Sequence, residues 1–146
     1  MAALEDEARR ILRLAGDDAL RAYEIVERQL AVLVMRTQVL LSLSGIVITV
    51  TGFSGRAIAQ TSDLARACIS IGIFGVLGAA VVAIAGVLRL RWLTQELSED
   101  ALTTLVRGLT LRERKSRALA TALALFVAGF ALYCVAIAQL LWKARP

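Results

Sequence analysis

The stretch Thr37-Gln38-Val39-Leu40-Leu41-Ser42-Leu43-Ser44-Gly45-Ile46-Val47-Ile48-Thr49-Val50-Thr51-Gly52-Phe53 carries no charge and lies between Arg36 and Arg56. The roughly 19 residues between these arginines, at about 1.5 Å rise each, reach about 28 Å as a helix, close to the ~30 Å hydrocarbon core of a bilayer. The segment therefore reads as a membrane span. Its polar residues are ordered: Gln38, Ser42, Gly45, Thr49 and Gly52 follow one another at steps of four, three, four and three, so they share one helical face. Leu40, Leu41, Ile46, Val47 and Val50 fall elsewhere on the helix. A face of this kind has two uses. Small residues let membrane helices approach closely and hydroxyls bond across the contact, which makes helix packing the commoner use. The other use is to line a pore or polar cavity.

Composition agrees with a membrane location. A chain of 146 residues with 58% hydrophobic residues and a mean hydropathy of +0.70 is too apolar for a water-soluble domain, and its length suits one domain. Lys and Arg outnumber Asp and Glu by 17 to 12. That excess flanks apolar runs, where it sets membrane orientation, and no interleaved aromatic and basic pattern points to nucleic acid. Proline occurs once, at Pro146, so no missing backbone donor interrupts a long helix.

Working toward the N-terminus, Leu4, Ala8, Ile11, Leu12 and Ala15 form one apolar stripe, and Leu20, Tyr23, Glu27, Leu30 and Val34 continue at helical spacing with one charged interruption. Gly16-Asp17-Asp18 between them reads as a stop and restart, glycine closing one helix and Asp17 or Asp18 capping the next. Glu5 with Arg9, Asp6 with Arg10, and Glu24 with Arg28 are opposite charges four apart, each contributing about 0.2–0.5 kcal/mol on a solvated helix. The charged run over residues 5–28 lacks the pattern of a cleavable signal, so the first apolar run is expected to stay in the protein. The second helix is expected to run into the first span unbroken.

Working toward the C-terminus, residues 54–66 read as a short polar turn outside the bilayer. A second span over 67–88 presents Cys68, Gly72, Gly75, Ala79, Ala83 and Gly86 on one face, a surface for close backbone approach. Arg89-Leu90-Arg91-Trp92 forms a basic and aromatic interfacial anchor. Ser98-Glu99-Asp100 reads as a helix start, Leu102, Leu105, Val106 and Leu109 as the apolar side of a short helix, and Gly108 as its end. Thr110-Leu111-Arg112-Glu113 has capping-box spacing, which predicts a new helix from near Leu111 through a third span over 118–142.

The segment before the first span holds six Lys/Arg and the loop at 89–117 seven, against two in the first loop and two in the tail. Positive charge stays on the cytoplasmic side, which puts the N-terminus and the long loop inside and the C-terminus outside.

The chain has no histidine, and no Asp or Glu falls in a span, which removes the commonest general base, the commonest metal ligand and an intramembrane carboxylate relay. No glycine group has the spacing of a phosphate-binding loop. Cys68 and Cys134 sit about 9 Å apart along the membrane normal in this topology, beyond the roughly 7 Å that a disulfide tolerates, and read as small packing residues. Arg112, Arg114, Lys115 and Arg117 form the strongest basic patch, suited to anchoring the third helix and to binding anionic lipid headgroups. Gln139 lies close enough to Trp142 to reach interfacial water.

The sequence Glu27-Arg28-Gln29-Leu30-Ala31-Val32-Leu33-Val34-Met35-Arg36-Thr37, followed by Leu40, Leu41 and Gly45, resembles the start of the first span in the YidH-like family of small three-span membrane proteins, which is similar to the membrane part of the vacuolar transporter chaperone. Here the Arg-Thr pair falls one residue further from Glu-Arg than in the family pattern, which turns it by about 100° on the helix. The resemblance implies an oligomeric bundle in which Arg28 and Arg36 face a central path for anions, at its cytoplasmic mouth. The spans beside cytoplasmic helices are also loosely similar to the small transmembrane effectors of bacterial nucleotide-signalling defence systems.

Together these features lead us to expect an all-α integral membrane protein of the bacterial plasma membrane. Residues 1–36 would form cytoplasmic amphipathic helices, and residues 37–142 a three-span membrane domain with spans at about 37–55, 67–88 and 118–142. The expected function is a non-enzymatic homo-oligomeric bundle, without cofactor or metal, whose first-span residues Gln38, Ser42, Gly45, Thr49 and Gly52 line an ion path or pack helices. Its partners would be further copies of itself, membrane lipids, anionic ones included, and a cytoplasmic protein, with no nucleic acid. The alternative is a membrane anchor or accessory subunit that recruits a partner through its cytoplasmic helices.

Overall fold

The computed structural model describes residues 2–53, 62–88 and 100–143, and every element in them is helical. Helix α1 spans Ala2–Leu14, α2 Ala19–Phe53, α3 Asp63–Ala83 followed by a π-helical turn Ile84–Leu88, and α4 Ala101–Lys143. Three of them are long and apolar enough to cross a membrane. Their apolar side chains point largely outward, Phe74 being 75% and Ile46 59% exposed. Water does not tolerate so extended an apolar surface, whereas lipid does.

The α1–α2 turn forms as its residues dictate. Gly16 and Asp17 both take positive φ, 74° and 59°. Asp17 N–H donates to Leu12 O at 3.0 Å and Gly16 N–H to Arg13 O at 3.1 Å, the paired bonds that close a helix with a left-handed residue. Asp18, not Asp17, caps α2, accepting from the N–H of Leu20 at 3.0 Å and Arg21 at 3.4 Å. Glu24 and Arg28 pair at 3.9 Å, but the expected pairs Glu5–Arg9 and Asp6–Arg10 are not among the ion pairs of the described residues.

At about 1.5 Å per residue α2 is about 52 Å long and α4 about 64 Å, so both outrun a ~30 Å hydrocarbon core. Their N-terminal halves project at the same end and, with α1, close a small head around Ala8, Ile11, Ala22, Val26, Leu30, Leu105 and Leu109. The α1 stripe thus finds its partner inside the chain. On α2 the expected Leu30 is buried together with Ala22 and Val26, whereas Leu20, at the start of the expected stripe, is exposed. Where the head projects into water, burial of Val26, Leu105 and Leu109 stabilises it by about 1.5–3 kcal/mol each.

The long loop also departs from expectation. There is no helix end at Gly108 and no restart at Leu111, for α4 is continuous. Gly108 is buried, and a Cβ there would meet Val26 Cγ1 at 3.2 Å, so the residue serves close helix packing. Thr110 donates its hydroxyl to Val106 O at 2.8 Å and Glu113 pairs with Arg117, so neither caps. The helix start belongs to Asp100, which accepts from the hydroxyl of Thr103 and from the N–H of Leu102 and Thr103. The Thr103 hydroxyl first, and these N–H groups, hold its carboxyl below the usual carboxylate range.

Helix α3 starts at Asp63, with Ser62 as its cap, so Arg66 lies on the helix. The rest of the first turn, the anchor Arg89 to Trp92, and Ser98-Glu99 lie outside the described residues. In the spans, hydrophobic transfer no longer drives association and packing decides. The glycine face of α3 meets α4 accordingly. A Cβ added to Gly72 would sit 2.8 Å from Gly129 O, and one added to Gly75 3.0 Å from Gly129 Cα, while Gly86 lies against Ala118. Carried one turn further, this register brings Cys68 level with the turn of Cys134, contrary to the expected axial offset. Both thiols are nonetheless free, Cys134 on the exposed surface.

Candidate functional site

Helix α2 carries two polar faces at helical spacing, and the structure separates their roles. Thr37, Leu40, Ser44, Val47 and Thr51 are buried against the other spans. The three hydroxyls recur every seven residues and satisfy themselves on the preceding turn: Thr37 to Leu33 O at 2.8 Å, Ser44 to Leu40 O at 2.8 Å, Thr51 to Val47 O at 2.7 Å. A polar side chain so occupied packs like a small apolar one. Leu40 and Val47 join Val76, Ala79, Ala83, Ala122 and Phe126 in the core between the spans.

Gln38, Ser42, Gly45, Thr49 and Gly52 are all exposed. At about 100° per residue their centre lies about 140° around α2 from the buried face, so they point away from α3 and α4. No heavy atom lies within 4 Å of a Cβ added at Gly45 or Gly52, in contrast to the tight surroundings of Gly72, Gly75 and Gly129. Among the described residues this stripe therefore meets no neighbouring helix within one subunit.

The basic residues are dispersed. Arg28 is exposed and pairs with Glu24. Arg36 lies on a different side of α2 from the stripe, about 160° from Gln38, where it lines a crevice with Arg112 and Ser116 of α4. The patch Arg112, Arg114, Lys115 and Arg117 does not act as one. Arg112 is half-buried, with Nη1 donating to Glu7 Oε1 at 2.8 Å and Gln29 Oε1 at 2.8 Å, and Nη2 to Glu7 Oε2 at 3.1 Å. Arg117 is engaged by Glu113, Arg114 is exposed and Lys115 half-buried. No protein-family model matches the chain, and no curated protein or solved structure does either. Among the described residues no group of three His, Cys, Asp or Glu could hold a metal ion.

The Glu7–Arg112–Gln29 clasp joins α1, α2 and α4 and was not among the sequence candidates. Partly exposed as it is, it contributes about 1–2 kcal/mol, between an open surface pair and a sheltered charged bond. Arg112→Ala is expected to raise amide exchange across α1 by about tenfold, read by hydrogen–deuterium exchange, while the spans keep their protection. Unchanged exchange in α1 would show that the apolar contacts of Ala8 and Ile11 hold it alone.

Proposed function

We propose that the chain is a non-enzymatic membrane subunit that assembles with further copies of itself, the α2 stripes of neighbouring copies facing one another around an ion-conducting path. The observation that carries this is the placement of Gln38, Ser42 and Thr49 on the side of α2 turned away from α3 and α4. Left to lipid, an amide and two hydroxyls meet acyl chains. Turned toward other copies, they meet water or one another, while α3 and α4 form the outer ring. The positive-inside distribution supports a head on the cytoplasmic side of the membrane. Ion flux from liposomes carrying the purified protein tests the proposal: wild type conducts and the double variant Ser42→Leu, Thr49→Leu does not. Silence of the wild type under every trigger tried would overturn it.

A second reading, an anchor that recruits a cytoplasmic protein, is favoured by one feature. Leu14 is 85% and Leu20 77% exposed at the α1–α2 turn, the end of the head far from the spans. A partner seated there would co-purify from native membranes at fixed ratio.

A further inference from the structure

Two adjoining hollows of about 280 and 430 Å³ lie between α2 and α4 and share Leu33, Arg36 and Ser116, which makes them one crevice. Its upper end is the more polar of the two, with Gln29, Arg36, Arg112 and Ser116 set beside Val32 and Leu33. Its lower end is apolar, lined by Val39, Leu40, Leu119 and Leu123. The change from one to the other falls where the first span begins, at Arg36, so the polar end sits at the level of lipid headgroups and the apolar trough runs into the hydrocarbon.

The charges at the upper end are unequal. Arg112 is neutralised by Glu7, and its guanidinium is further occupied by Gln29. Arg36 forms no ion pair among the described residues. A cation without a counter-ion at headgroup depth, above a trough that only an acyl chain or another apolar segment can fill, is complementary to an amphiphile with a negative head. We infer that the crevice binds one anionic phospholipid, its phosphate on Arg36 with Ser116 and Gln29 beside it and an acyl chain between Leu40 and Leu119. The site lies on the other side of α2 from the polar stripe, so it does not depend on a conducting path.

Native mass spectrometry of the detergent-purified protein, titrated separately with phosphatidylglycerol and phosphatidylcholine, tests this. Wild type is expected to retain phosphatidylglycerol with about fivefold or greater preference, the scale of one cation at an anionic surface. Arg36→Gln removes the preference, and Arg107→Gln, an exposed cation outside the crevice, leaves it. Ala120→Phe, which places a ring in the trough, weakens retention of both lipids. Equal binding of the two lipids by wild type, or equal losses from Arg36→Gln and Arg107→Gln, would overturn the inference. So would a fall in subunit number from Ala120→Phe with the lipid preference intact, because the crevice would then house a neighbouring copy.

Discussion

Gly129→Leu is expected to abolish the folded subunit. A Cβ at this position lands 2.6 Å from Gly72 O, 3.0 Å from Val76 N and 3.2 Å from Gly75 C, all of them backbone atoms that cannot rotate aside. Even Gly129→Ala forces α3 and α4 apart along the contact that holds the spans together, at a cost of about 1–3 kcal/mol, and leucine adds three more carbons to the same space. Denaturant titration followed by circular dichroism checks the alanine variant, and recovery of monodisperse protein checks the leucine variant. Gly45→Leu is the matched control, since nothing lies within 4 Å of a Cβ there, and the subunit should unfold as wild type does. Equal stability of Gly129→Leu and Gly45→Leu would contradict the packing described.

The second large effect is on conduction. Ser42 and Thr49 are exposed in the subunit, so replacing both by leucine leaves the fold alone. In an assembly each replacement is repeated in every copy, so two rings of hydroxyls become two rings of isobutyl groups. A narrow apolar constriction sheds its water and closes, and flux is expected to fall by about tenfold or more. Leu43→Ala, elsewhere on α2, should retain wild-type flux. A double variant that conducts like wild type would remove the stripe from any path.

The three spans were legible because hydropathy adds up locally and a bilayer demands length above all. The turn at Gly16 to Asp18 was legible for a similar reason: φ preference and capping act within a few residues. The break expected at Gly108 failed where a tertiary contact won. Glycine costs a helix about 1 kcal/mol, and packing against Val26 offsets it. The stripe of Gln38, Ser42, Gly45, Thr49 and Gly52 was readable as a face, but not the direction it points. Thr37, Ser44 and Thr51 form an equally regular face, and because their hydroxyls bond to the preceding turn it is this face that enters the core. The clasp between Glu7 and Arg112 joins residues at opposite ends of the chain, and no local pattern announces it.

The direct measurement is water access to the stripe. In a background with Cys68→Ser and Cys134→Ser, single variants Ser42→Cys, Thr49→Cys and Leu43→Cys in liposomes are exposed to a charged, membrane-impermeant thiol reagent. If copies of the chain surround a hydrophilic path, the first two react and Leu43→Cys, facing lipid, does not. Stripe thiols as inert as the one at position 43 would mean that this edge of α2 meets no water, and the proposed path does not exist.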